Sequence, residues 1–111
     1  MMTTLVELDS AFRALGNSTR RAVLEQLGRG PATIGELAEP FDMALPSFLQ
    51  HVRALEDAGL VRSEKLGRVR TVHIVPDRFL PVAAWLREQR SLWTRRLDQL
   101  DSYLEKMEND A

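Results

Sequence analysis

Two short stretches of the chain, residues 47–53 and 65–70, carry side chains suited to hydrogen bonding with nucleic acid. Glutamine can form two hydrogen bonds with the edge of adenine, and serine can donate to or accept from several base edges. Arginine and lysine bind phosphate, and those contacts set register and affinity but carry no sequence information. The residues predicted to contact double-stranded DNA are Ser47, Gln50, His51, Arg53, Lys65, Arg68 and Arg70.

The spacing of apolar residues predicts a helix that presents the first stretch. Pro46 lies in the first turn, where a helix tolerates proline, and Gly59 ends the pattern. A helix turns by about 100° per residue, so Ser47, Gln50 and Ala54 point away from its apolar face. That face is predicted to comprise Leu45, Phe48, Val52, Leu55 and Ala58.

A capping box predicts a shorter helix just before this one. In the segment 33–36 the Thr33 hydroxyl and the Glu36 carboxylate can each satisfy a free backbone N–H, and the helix is expected to end near Pro40. Residues 41–44 then form a tight turn. Two short helices joined by a turn predict a helix-turn-helix over residues 33–59, with the second helix in the major groove of DNA.

Residues 60–75 predict a β-hairpin. Gly67-Arg68 separates two arms, of which the second is rich in β-branched residues. A basic hairpin alone is typical of a solvated sheet edge, since Lys and Arg protect exposed strands. Its position directly after the helix-turn-helix favours a DNA-binding wing. The predicted fold is therefore mainly α with a small β-hairpin, a winged helix-turn-helix.

Amphipathic helices are predicted on both sides of this unit. Residues 5–15 form the first, and a second begins at Asn17 or Ser18 and ends at Gly28. After Pro76 a long helix over residues 78–107 carries an apolar stripe with heptad-like spacing, which predicts a dimerisation seam. Trp85 and Trp93 could instead line an effector pocket, but aromatic residues on an amphipathic helix more often pack in a core or a subunit interface. The predicted interface comprises Leu5, Leu8, Phe12, Leu86, Trp93, Leu97, Leu100 and Leu104.

Composition limits the remaining function classes. The 111 residues predict a single domain, 1–111, and the cysteine count of zero excludes disulfides and thiolate metal sites. A net charge of −1 counts against nucleic-acid binding, yet residues 45–73 hold five basic residues against three acidic ones, so positive charge is local. We expect a cytoplasmic protein without a leader or membrane span. We also expect neither an enzyme nor a cofactor binder, because the sequence has no Gly-rich phosphate loop and its two histidines have no cysteine partner.

The sequence resembles the ArsR-type winged-helix repressors over almost its whole length. The likeness is carried by residues 12–24, by 35–38, by 45–61 and by the Gly67-Arg68 wing tip. It implies a dimer, joined through the first and last helices, that binds operator DNA and represses nearby genes. Family metal sensors commonly carry a cysteine pair in the third helix or histidine ligands in the last, and neither is present here. The resemblance is therefore to a branch without metal sites.

Several alternatives stay open at this point. His51 is either a half-buried residue bonded to backbone or, as the family pattern favours, a DNA or phosphate contact, whereas His73 favours a structural role. The rival function is a protein-interaction module without specific DNA binding, which a near-neutral chain also suits. The inducing signal is not identified, and a small molecule or a protein would each serve as effector.

Overall fold

A computed structural model describes the backbone of residues 2–110 and the side chains from Leu5 onward to Asp110. It is mostly helical with one small antiparallel sheet, as predicted. The chain divides into two compact units between Pro81 and Val82. The elements are α1 (Met2–Leu15), α2 (Ser18–Leu27), β1 (Ala32–Thr33), α3 (Ile34–Ala38), α4 (Leu45–Asp57), β2 (Val61–Leu66), β3 (Val69–Ile74), a 3-10 turn (Pro76–Phe79) and α5 (Leu80–Asp110).

The core of the first unit forms around α4. Phe48, Val52 and Leu55 are completely buried, as their spacing predicts. Burial of each such side chain stabilises the fold by roughly 1.5–3 kcal/mol. Leu45 was expected on the same face but is 53% exposed, because the first residue of the helix extends beyond the core. The other large core side chains are Val23, Leu24, Leu27, Leu37, Leu60, Val61 and Val72.

Local hydrogen bonds determine where the short helices begin. The Asn17 side chain accepts from the backbone N–H of Arg20 at 3.2 Å and caps α2. The predicted capping box is present, since Glu36 N–H donates to Thr33 Oγ1 and Thr33 N–H donates to Glu36 Oε1. Ala44 at the start of α4 gives no side-chain cap, and Pro46 in the first turn leaves one N–H fewer to satisfy.

The sheet has three strands rather than the two that the hairpin predicted. Its order is β1-β3-β2, and β1 adds the pairs Ala32↔Val72 and Thr33↔Thr71. A strand of two residues is too short to show an alternating pattern, so sequence gave no signal for it. Because β1 leads directly into α3, this pairing joins the start of the helix-turn-helix to the wing.

The hairpin turns at the predicted Gly67-Arg68 pair. Gly67 has a φ of +64°, which glycine adopts without the strain that a Cβ brings, whereas Arg68 has no positive φ. This is the pattern of a type II′ turn, whose twist matches that of the flanking strands. The turn pairs Leu66 with Val69 and Lys65 with Arg70. The wing, defined as β2, β3 and this turn, is thereby fixed in register.

Helix α5 is 31 residues long and forms most of the second unit. It begins at Leu80 rather than at residue 78, because the residues from Pro76 to Phe79 form a separate 3-10 turn. Within residues 2–110 no helix has both the length and the apolar character that a membrane span needs.

Candidate nucleic-acid interface

Helix α4 exposes the polar residues that its periodicity predicted to face outward. Ser47, Gln50 and Arg53 are all exposed, and Ala54 is half-buried. Phe48, Val52 and Leu55 anchor the opposite side of the same helix in the core. The ring of Phe48 also stacks on Phe41 of the turn, with the centroids 5.7 Å apart. The polar face therefore lies on a rigidly held helix, which is what base readout requires.

A groove separates α4 from the wing. It is open to solvent, has a volume of about 720 Å³, and is bordered by Leu49 of α4 and by the start of α3. Three of the predicted phosphate contacts, Lys65, Arg68 and Arg70, line its other side. The structure thus brings the wing cations together beside α4. The full lining is Thr33, Ile34, Gly35, Leu49, Ser63, Lys65, Arg68, Val69 and Arg70.

The three wing cations differ in their surroundings. Lys65 and Arg68 are exposed, whereas Arg70 is half-buried and bonded to other side chains. The Arg70 guanidinium donates to Glu56 Oε1 of α4, and its Nε donates to Ser63 Oγ of β2 at 3.0 Å. Ser63 Oγ in turn donates to Glu56 Oε1 at 2.7 Å. These three side chains, hereafter the wing network, join α4 to both strands of the wing.

Sequence reasoning missed Glu56 and Ser63. The available signal was helical spacing, since Glu56 lies seven residues after Leu49 and therefore on nearly the same side of α4. The hairpin register was a second signal, because it places Lys65 directly opposite Arg70. Two like charges at facing positions destabilise a sheet unless an acid offsets them.

His51 bonds to a side chain of α2 and not to backbone. Arg20 Nε donates to His51 Nδ1 at 3.3 Å, and Arg20 also donates through Nη1 to the Arg13 carbonyl at 3.3 Å. Burial first, and the neighbouring Arg20 charge second, lower the pKa of His51 from its ordinary 6.5. A nitrogen that accepts a hydrogen bond carries no proton, so the neutral ring keeps its proton on Nε2. That N–H is the donor that a DNA contact of His51 would use.

His73 lies on the wing, paired in register with Arg62. Its Nε2 is 3.4 Å from Glu64 Oε2, within ion-pair distance but without a hydrogen bond. In the part of the chain that the structure describes, no three His, Asp or Glu side chains are grouped so as to hold a metal ion.

The predicted interface residues lie on α1 and α5. On α5, Leu86, Trp93, Leu97, Leu100 and Leu104 are between 49% and 59% exposed. The Arg96 guanidinium lies 5.7 Å from the centre of the Trp93 ring, in cation–π contact. On α1, Leu5 is exposed, and Leu8 and Phe12 are half-buried. Large apolar side chains exposed in one stripe are typical of an interaction surface.

Charge is segregated along α5. The segment 82–96 holds four arginines and one glutamate, and the segment 97–110 holds five acids and one lysine. All of these charged side chains are exposed. The helix is therefore basic in its first half and acidic in its second.

Comparison with known proteins places the chain among regulators of transcription. Residues 15–64 match the model of a helix-turn-helix domain. The HTH-type transcriptional regulator Rv2034 of Mycobacterium tuberculosis is 35% identical over 96 residues, which are 86% of this chain and 87% of that protein. Regulators of this kind are generally not enzymes.

Solved structures agree with this placement. The crystal structure of an ArsR family transcriptional regulator is 57% identical, with a TM-score of 0.74 over 79% of this chain and 91% of that one. The homodimeric winged helix-turn-helix DNA-binding domain of Mb0332 from Mycobacterium bovis is 22% identical, with a TM-score of 0.65 over 82% and 86% of the two chains. The second likeness shows a shared fold.

Proposed function

Because the chain belongs to the ArsR family of helix-turn-helix transcriptional regulators, we propose that it binds operator DNA as a homodimer and represses the adjacent genes. The observation that carries the proposal is the exposed polar face of α4 beside a groove lined by wing cations. Repression rather than activation follows from the family resemblance. The cytoplasm as its location, and an effector of small-molecule or protein class, stay predictions.

The proposal divides the DNA contacts between α4 and the wing. Ser47 and Gln50 read base edges in the major groove, since their short polar side chains are exposed on a helix that the core holds in place. Arg53, Lys65 and Arg68 bind phosphates on either side, and His51 adds a donor through Nε2. The local basic charge then accounts for binding in a chain whose net charge is −1.

In the proposed homodimer, the second subunit packs against the apolar stripe of α5. A second copy is the occupant that the charge distribution favours, because two α5 helices in antiparallel orientation place the basic half of each against the acidic half of the other. The homodimeric state of the Mycobacterium bovis domain supports this assembly. A two-fold dimer presents two copies of α4, so its operator is an inverted repeat with half-sites about one helical turn, roughly 10 base pairs, apart.

Selection from a random-sequence DNA pool, followed by gel shifts at several salt concentrations, tests the function. We expect the selected duplexes to share an inverted repeat, and binding to weaken steeply as salt rises. Recovery of no preferred sequence would overturn the proposal and favour the protein-interaction module. Gel shifts on the region upstream of the chain's own gene then identify the natural operator.

A further inference from the structure

We propose that the wing network of Glu56, Ser63 and Arg70 holds the wing at a set position beside α4. In this arrangement Arg70 is a positioning residue rather than a phosphate contact. The inference rests on the proposed DNA-binding function and assigns one of the seven predicted contact residues a different task. The phosphate contacts of the wing itself are then Lys65 and Arg68, whose side chains are exposed.

The geometry of the network favours this role. Each of its three members comes from a different element, α4, β2 and β3, so the hydrogen bonds between them connect the reading helix to both strands of the wing. Arg70 uses two separate nitrogens, Nε and Nη2, on two different partners. A guanidinium held in this way has a fixed plane and direction, which a single ion pair does not impose.

Burial and charge point the same way. The side chains of Arg70 and Glu56 are 38% and 25% exposed, so both are less accessible than an exposed side chain such as that of Lys65 or Arg68. The Glu56 carboxylate offsets the positive charge of Arg70 and reduces its repulsion of Lys65 on the facing strand. An arginine already paired to a carboxylate attracts phosphate less than an unpaired one does.

The two roles of Arg70 predict opposite effects when the Glu56 charge is removed. If Arg70 binds phosphate and Glu56 only competes for it, then Glu56→Gln releases a cation and tightens DNA binding. If the network positions the wing, Glu56→Gln loosens the wing and weakens binding to the preferred duplex. Asp57→Asn is the matched control, because Asp57 is the next residue of α4, carries the same charge and lies outside the network.

The experiment measures fluorescence anisotropy with two labelled duplexes, one selected by the wild-type protein from a random pool and one with the same bases shuffled. We expect Glu56→Gln to lower affinity for the selected duplex by about five- to tenfold, because the phosphate contacts of Lys65 and Arg68 lose their alignment. The affinity of Asp57→Asn for the selected duplex should equal or slightly exceed that of the wild type, because this change only removes a negative charge that the DNA polyanion repels. Affinity of Glu56→Gln equal to that of Asp57→Asn would overturn the inference.

Two further variants separate position from charge. Arg70→Lys keeps the positive charge but cannot donate to both partners from separate nitrogens, so it should resemble Glu56→Gln, whereas a phosphate contact would survive it. Ser63→Ala changes no charge and should weaken binding in the same direction. It decides the question alone if circular dichroism shows that Glu56→Gln is unfolded. If the wild-type protein selects no preferred DNA sequence, the proposed function is refuted. If the wild type does select one and Ser63→Ala binds that duplex with wild-type affinity, only the positioning role of the wing network is refuted.

Discussion

Replacement of Arg68 and of Gln50 by alanine should change DNA binding in two distinguishable ways. Both side chains are exposed in the first unit, Arg68 at the wing turn and Gln50 on α4, so neither replacement removes buried contacts. Surface changes of this kind typically alter the free energy of unfolding by less than about 0.5 kcal/mol. Any loss of affinity then reports on DNA contact and not on folding.

The magnitude for Arg68 follows from the number of phosphates released. A phosphate contact contributes about 0.9 to the slope of log affinity against log salt, and a dimer carries two copies, so Arg68→Ala should reduce the slope by about 1.8. When the salt concentration rises fourfold, the affinity of the wild type should fall by a factor about ten times larger than the factor by which the affinity of the variant falls. Arg68→Ala should also weaken binding to the selected duplex and to the shuffled duplex by the same factor.

Gln50→Ala should show the reverse pattern. Loss of one base contact costs about 1–3 kcal/mol, and the dimer loses two. Affinity for the selected duplex should therefore fall by roughly 30-fold or more, and preference should relax at one base pair in each half-site. The salt slope should stay as in the wild type. Anisotropy titrations across a salt series, with both duplexes, measure these quantities. If the two variants change slope and selectivity alike, the division between reading helix and wing is wrong.

Three further predictions concern the assembly, the core and pH. Leu97→Asp should dissociate the dimer in analytical ultracentrifugation while Ser102→Asp, on the opposite side of α5, leaves it intact; equal behaviour would exclude the α5 stripe as the seam. Phe48→Ala should lower the free energy of unfolding by about 3–5 kcal/mol in urea, and a loss below about 1 kcal/mol would contradict its place in the core. Because the pKa of His51 is lower in the folded state than its ordinary 6.5, the unfolded chain binds the proton more readily, and stability should decline as pH falls below about 6.5. His51→Gln should show less of this decline in urea titrations between about pH 7 and pH 5, and an unchanged pH dependence would contradict the lowered pKa of His51, which burial and then Arg20 cause.

Features determined by near neighbours in the chain were predictable. The Thr33 capping box joins residues three apart, and so does the Asn17 cap of α2. The Gly67-Arg68 turn depends on two adjacent residues, and the apolar spacing of Phe48, Val52 and Leu55 spans two helical turns. In each case the stabilising interaction lies within a few residues, so composition and spacing are enough to specify it.

Features that join distant segments were not predictable in the same way. Arg20 and His51 are 31 positions apart, and Glu56 and Arg70 are 14 apart, so no local pattern connects them. The third strand was missed because two residues become a strand only when β3 supplies the hydrogen bonds. The exposure of Leu45 likewise depends on where the core ends and not on helical period.

The sequence by itself determined that a polar helix face and a basic hairpin follow one another in a winged helix-turn-helix. Helical period sends Ser47 and Gln50 outward whatever the rest of the chain does, since the same winding sends Phe48 and Val52 into the core. Only the tertiary structure decided which cations remain available, because Arg70 meets Glu56 and Ser63 through packing of α4 against the wing. A side chain's type states which bonds it can form, and the neighbours that folding supplies determine which bonds it does form.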